Sequence, residues 1–384
     1  MNRSLIWLGI ALFTWGIGEA MFVIFQPIYL QQLGASPLVI GWILGAAGLM
    51  MTIVPIPSGH LSDRWGRRQM LIAAWVFGIF ATLTMALAKN LFVFVIGILM
   101  YGFTLFVVSP LDSYLTAARG KWTVARAITF SGIVYNSGVM IGPALGGWIG
   151  DHYGLRTVYA VATGIFIFST FFIFQIESQP RDHHDPEDPP ADLLKNKRYL
   201  SFLAVFFIVA LVVFLPQPLT PNFLENQRGL SLTQIGTLGS IVGIGTVVFN
   251  LLLGMLEARK GFLIGQVGVA AYAFLLWQGT SFGWFAIAYF MLGGFRALRG
   301  LGVAQVRPLV HESQMGLAYG IAETVGAATT FIIPPVAGYL YSLNPFMIYP
   351  VSLIAIAIGF VVSFIFTPHA KHVQPEHIEF THQL

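Results

Sequence analysis

The chain contains no cysteine. A disulfide framework, a thiolate nucleophile and a Cys-ligated metal are therefore excluded. Charge is scarce as well. Lys, Arg, Asp and Glu make up 9% of 384 residues, where an average soluble domain carries about 25%. So few ionisable groups cannot coat a water-soluble core of this size. No run of the form G-x-x-x-x-G-K-[ST] occurs, so ATP hydrolysis is not the energy source. No H-E-x-x-H and no Ser/His/Asp set lies in the apolar segments, which argues against an intramembrane enzyme. What the chain does have is apolar surface: 56% of its residues are hydrophobic, with a mean hydropathy of +0.76. A soluble enzyme, a nucleic-acid-binding module and a disordered chain are thereby excluded. The solvent of this protein is lipid.

A bilayer-spanning helix needs roughly 20 mostly apolar residues. Twelve segments meet that length, near 5–30, 38–57, 69–88, 91–116, 126–149, 155–175, 199–224, 232–255, 262–281, 283–306, 316–341 and 344–366. They are continuous rather than alternating, so they predict helices and not the strands of a barrel. The first run is read as span 1 and not as a removable signal peptide. With both termini in the cytoplasm, 15 of the 20 Lys and Arg fall inside. Lys89, Arg156 and Arg228 fall outside, and Arg296 and Arg299 lie within span 10. This bias sets the expected orientation. It also accounts for the isoelectric point near 9.3 without nucleic acid.

Residues 177–198 form the one long polar break. It contains Arg181-Asp182-His183-His184-Asp185-Pro186-Glu187-Asp188-Pro189-Pro190. A metal site on His183 and His184 is weighed against a solvated linker, and the prolines and missing apolar residues favour the linker. His369, His372, His377 and His382 in the tail are read the same way. The expected division is 1–176, linker 177–198, 199–367 and tail 368–384. The two halves repeat. Gly34-Ala-Ser36 before Ile40-Gly41 recurs as Gly229-Leu-Ser231 before Ile235-Gly236. Gly59-His-Leu61-Ser-Asp63-Arg64-Trp-Gly66 returns at the same offset as Gly254-Met-Leu256-Glu-Ala258-Arg259-Lys-Gly261. A duplicated six-helix unit is the build of many secondary transporters.

Gly59-His60-Leu61-Ser62-Asp63-Arg64-Trp65-Gly66-Arg67-Arg68 lies between spans 2 and 3. It reads as a tight basic turn between two membrane helices. The run resembles the signature loop of the major facilitator superfamily, G-x-L-a-D-r-x-G-r-r, at its expected place. Twelve spans, the repeat and the central linker fit the same family, so the resemblance covers nearly the whole chain. It implies an all-α membrane protein of the major facilitator fold, two pseudo-symmetric six-helix bundles with twelve transmembrane helices. It also implies a conformational latch: Asp63 docks near the start of span 11, where a helix N-terminus favours a carboxylate. Arg64, Arg67 and Arg68 pair with neighbouring helices. The second copy has Ala258 in place of the Asp, so the latch is expected to be asymmetric. Span 5 carries Gly138-x-x-x-Gly142-Pro143-x-x-Gly146-Gly147. Small residues four apart let helices approach closely. The same pattern resembles the family's antiporter-type motif, which implies export. Arg296-Ala-Leu-Arg299-Gly300-Leu-Gly302 resembles the family's span 4 pattern R-x-x-q-G-x-g, but lies in the second half. The first-half counterpart has Ile98 at the arginine position.

Five ionisable residues lie inside the spans: Glu19, Asp112, Arg296, Arg299 and Glu323. A charge at mid-bilayer costs about 3 kcal/mol, so such residues face a wet cavity or a partner. Glu19 and Arg296 both fall near the midplane. Arg299 and Glu323 fall roughly 10 Å from the inner end and are read as a cavity pair or a structural ion pair. Glu19 has no opposite charge nearby on its own helix. Trp15, Phe22, Val23 and Gln26 make a stripe around it at helical spacing. Asp112 falls near the cytoplasmic mouth by its position in span 4 and is read as a cavity or gate residue. The family resemblance implies that spans 1, 4, 7 and 10 line the central cavity. The expected function is alternating-access secondary transport, as proton-coupled export of a small organic or amphipathic compound. Alternatives are uptake or exchange of an anionic metabolite, held by Arg296 and Arg299, and a non-transporting receptor on the same fold. The expected partners are a small-molecule substrate, protons and the lipid bilayer, in a plasma-membrane monomer with no cofactor and no metal.

Overall fold

A computed structural model of the chain describes residues 3–179, 193–310 and 315–366. At Ile56, Gly59, His60, Asp63, Ala125, Leu194 and Gly316 it describes the backbone alone. The linker histidines, the tail histidines and the segment before span 11 lie outside the described residues, as does the Asp63 side chain. No strand occurs among the described residues. The helices are α1 Arg3–Val23, α2 Gln26–Gln32, α3 Pro37–Ile53, α4 Pro55–Trp65, α5 Arg67–Leu87, α6 Leu91–Phe103, α7 Val108–Ala118 and α8 Val124–Tyr153. They continue as α9 Leu155–Phe174, α10 Lys197–Phe214, α11 Thr220–Arg228, α12 Leu232–Gly254, α13 Ala258–Gln278, α14 Phe282–Ala304, α15 Met315–Leu343 and α16 Ile348–Phe366.

Together they make twelve spans. Ten segments are long and apolar enough to cross a bilayer by length and composition. The eleventh is α3, a shorter apolar helix carried on by α4. The twelfth is α14, whose Arg296 and Arg299 lower its hydropathy. Polar residues set where helices begin. The side chains of Ser36, Asn90, Thr123, Asn196 and Ser231 each accept from a backbone N–H three residues on, and such a cap contributes ~1 kcal/mol.

Arginines close several ends. Arg68 donates to Ile176 O (2.6 Å) and Phe174 O (3.0 Å), just past α9 and at its end. Arg156 donates to Ala86 O (2.7 Å) and Leu87 O (3.3 Å). Arg228 donates to Trp277 O (2.6 Å) and Leu276 O (3.1 Å), and Arg259 to Phe364 O (2.5 Å). A cation there answers the unpaired carbonyls and the negative end of the helix dipole. Two of the three cations set apart by the charge count, Arg156 and Arg228, thus have a structural task.

Three spans are broken. Span 1 divides at Ile24 and Phe25, ahead of Pro27, and span 7 at Leu215–Leu219, where Pro216 and Pro218 cannot continue the ladder. Span 4 passes through a 3₁₀ turn at Thr104–Val107 ahead of Pro110. The signature run is not a loop either. Helix α4 continues to Trp65, and the turn is confined to Gly66, at φ +96°. Only glycine takes that conformation at no steric cost.

The glycines of span 5 set the spacing of its neighbours. A Cβ on Gly138, Gly142 or Gly146 would overlap the carbonyl oxygen of Phe13, Ile17 or Met21 of α1. On another face of α8, Gly147 meets Leu232 O, and Gly236 of α12 meets Pro143 O. The run is a two-sided packing face that brings α1 and α12 against α8. A second seam joins α3 and α15, where Gly41, Gly45 and Gly48 lie on the carbonyls of Pro334, Phe331 and Thr330.

Candidate functional site

Both seams are tight at the end of the bundle away from the termini. Polar contacts close that far face. Asp151, at the end of α8, accepts from the backbone N–H groups of Leu232 (2.9 Å) and Thr233 (2.7 Å), which open α12. Asn222 donates to Pro27 O (3.0 Å) and Gln31 Oε1 (2.6 Å), and Gln31 donates to Asn226 Oδ1 (3.3 Å). Toward the termini the helices part. A side chain at Gly132 or Gly254 would meet nothing.

Between the seams lies a cavity of about 470 Å³. Its floor is formed by Pro27, Pro218, Pro221 and Pro334, residues at or beside the broken or proline-bearing parts of spans 1, 7 and 11. Glu19, Gln26, Tyr135, Gln217, Tyr272, Tyr289 and Arg296 supply its polar groups, on mostly apolar walls. Five different spans of the first and second halves contribute those groups, as expected for a binding site that both halves share.

Glu19 and Arg296 are both in the cavity wall, yet no ion pair joins them within 4.0 Å. Each is held by α8 instead. Tyr135 donates its hydroxyl to Glu19 Oε2 at 2.7 Å. Arg296 Nη1 donates to Asn136 Oδ1 at 2.8 Å, and Asn136 Nδ2 donates to Gly132 O at 2.7 Å. Two consecutive side chains of one helix therefore fix the two midplane charges apart.

The stripe expected around Glu19 divides. Val23 and Gln26 line the cavity. Trp15 and Phe22 turn into the first-half core. Trp15 stacks on Phe166 at 4.0 Å with rings 3° apart and lies 4.9 Å from Trp75, while Phe22 packs edge-on to Tyr101 at 5.0 Å. A helix rotates about 100° per residue, so neighbours in a stripe can straddle a boundary between core and cavity. Arg299 and Glu323 pair with each other at 2.8 Å and stand outside the cavity wall. Arg299 lines a smaller space of about 60 Å³ beside Phe206 and Thr330. Asp112 is exposed on α7 and also stands apart from the cavity. Tyr135, Asn136 and Gln217 join the site without having been singled out in the sequence. The signal available for the first two was a polar pair in the middle of an apolar span.

The comparisons agree with this geometry. The family model of the major facilitator superfamily matches residues 8–256 and, overlapping, 202–383. The multidrug resistance protein MdtG of Proteus mirabilis is 26% identical over 368 residues, which cover 89% of this chain and 84% of that protein. Among solved structures, the nucleoside transporter NupG superposes with a TM-score of 0.78 at 15% identity, over 95% of this chain and 98% of the other. A bacterial homologue of the human lysosomal transporter Spinster, inward-facing and occupied, gives 0.72 at 14% identity over 94% of each chain. At such identities the structures speak for the fold alone, and the family model speaks for the membership. With twelve spans, a midplane cavity shared by the halves and no enzymatic constellation expected of it, the chain belongs to the major facilitator superfamily of membrane transporters.

Proposed function

We propose that this transporter exports a small organic or amphipathic compound across the plasma membrane in exchange for protons. The observation that carries this reading is Glu19, a carboxyl in the cavity wall bonded to the Tyr135 hydroxyl. A carboxylate at that depth is costly and a neutral carboxyl is not, so Glu19 changes its proton as its surroundings change. A substrate that displaces the proton in one access state and yields to it in the other is exchanged for it. The mostly apolar walls suit an amphipathic guest, and the relatives named as multidrug resistance proteins support export. Family membership decides for a transporter over a receptor. The excess of Lys and Arg on the termini side supports a cytoplasmic location for that face. The closed far face then makes this an inward-facing state. The units 1–176 and 199–367 rock about the cavity, with Asp63, Arg64, Gly66, Arg67 and Arg68 as the inner latch.

Flux into proteoliposomes, with and without an imposed pH gradient, tests the assignment. Glu19→Gln keeps the shape of the protonated acid and removes its titration. The expected outcome is retained binding and loss of gradient-driven transport. A Glu19→Gln protein that follows the gradient as wild type does would place the proton site elsewhere. A second reading, uptake or exchange of an anionic metabolite, is favoured by one observation: Arg296 bonds to a neutral amide and not to a carboxylate, so its charge is available to an anion. The direction of flux under the imposed gradient separates the two.

A further inference from the structure

A second space of about 320 Å³ lies between α8 and α12 on the termini side of their seam. It shares Val139, Gly239, Val242 and Arg296 with the central cavity, so the two are continuous. The lining residues of α8 recur at helical spacing from Thr129 to Met140, and those of α12 from Gly239 to Asn250. Two complementary faces are therefore turned toward each other with open room between them. At the upper end of this space Gly243 packs on Met140, and above it Gly236 packs on Pro143. Below, Gly132 meets nothing.

The mouth has a mixed character. Ile133 is 62% exposed and Val247 50%, on helices that otherwise present apolar side chains to lipid. Thr129, Ser137 and Asn250 are exposed beside them. The Asn250 amide has no hydrogen-bond partner among the described residues. Unpaired polar groups on a lipid-facing seam cost free energy unless a guest or water meets them. At the inner end stand Asn136 and Arg296, bonded to each other at 2.8 Å.

Resting on the transport reading above, we propose that this cleft is a side entrance from the bilayer. An amphiphile dissolved in the leaflet on the termini side enters between α8 and α12. Its apolar part follows Ile133 and Val247, and its polar end reaches Asn136 and Arg296. From there Val139 and Val242 lead into the central cavity. The substrate class is thus one that partitions into lipid before it binds, with a hydrogen-bonding or anionic head. Entry by this route replaces lipid contacts with similar apolar contacts, so desolvation of the tail is not required.

The test uses palmitic acid bearing a diazirine in its chain, incorporated in vesicles that hold the full-length protein. After irradiation, adducts are located by mass spectrometry. Adducts at Val139 or Val242 are expected in the wild type, together with adducts at lipid-facing residues such as Phe168 and Ile358. Gly132→Trp fills the mouth where an added side chain meets no atom. It is expected to abolish the cavity adducts and leave those at Phe168 and Ile358 unchanged, which also reports on insertion and folding. Ser137→Trp is the second variant, with the same expectation, and Gly164→Trp, another position with open room, is the control. Absence of cavity adducts in the wild type overturns the proposal, as do equal cavity adducts in both plugged variants. A protein that labels as expected yet shows no flux would overturn the transport reading and leave the entrance standing.

Discussion

Asp151→Asn is expected to loosen the far face and shift the transporter toward an outward-open state. The wild-type carboxylate joins the end of α8 to the start of α12 through two N–H···O⁻ bonds, 2.9 and 2.7 Å long. These contacts cross from the first half of the chain to the second, so an outward opening has to break them. A hydrogen bond to a charged group contributes about 1.5–3 kcal/mol, and a carboxylate on a helix N-terminus about 0.3–1 kcal/mol more. Asparagine keeps one acceptor oxygen and loses the charge. Asp151 is exposed, and solvent screening reduces the difference to about 1–2 kcal/mol. That corresponds to a roughly 5- to 30-fold change in the ratio of the two states. The absence of cysteine makes the assay direct. Val23 lines the cavity, and Val23→Cys supplies the sole thiol. Its rate of reaction with an impermeant thiol reagent added on the far side reports how often that face opens. The rate is expected to rise by the stated factor when Asp151→Asn is added. An unchanged rate would refute the reasoning, because it would mean that these bonds do not distinguish the two states.

Three further outcomes are expected. Arg296→Lys keeps the charge but loses the planar fork that bonds Asn136, so an anionic substrate should bind more weakly; unchanged affinity by isothermal titration removes the anion reading. Gly146→Val places a side chain on the Met21 carbonyl, and overpacking of this kind costs about 1–3 kcal/mol, to be read as a lower unfolding temperature in detergent. Asp63→Asn should leave insertion intact and slow transport through loss of the inner latch, and wild-type flux from that variant would remove the latch reading.

The twelve spans were legible because lipid demands long apolar runs, and that demand is written residue by residue. So was the pairing of Arg299 with Glu323, since two opposite charges at one depth on neighbouring spans have few other solutions. What escaped was rotation and interruption. Trp15 and Val23 lie on one stripe of span 1 but on opposite sides of the boundary between core and cavity. No periodicity in span 1 alone says where span 5 will press. Tyr135 and Asn136 were passed over because adjacent residues point to different sides of a helix, and their partners lie 116 and 160 residues away. The helical course of the signature run was hidden by its charges, which resemble those of a loop. The glycines at 59 and 66 look alike in sequence, yet only Gly66 turns the chain.

The Gln31–Asn226 bond joins positions 195 residues apart, close to the spacing of the internal repeat, as does the bond from Asn222 to Pro27 O. Residues that meet across the halves at nearly that spacing stand beside the axis that relates the two six-helix units. In a symmetric pair of identical chains, such a position must be self-complementary. An amide meets that requirement, because it offers a donor and an acceptor on one group. Once the two copies share a single polypeptide, the constraint lapses, and each side can vary without its twin. Asp151 clasps one seam of the far face, and at the other seam α15 ends in Leu343. The far face thus has one leaf clasped by a carboxylate and one without it, and the order in which they part is a property that a single substitution can change.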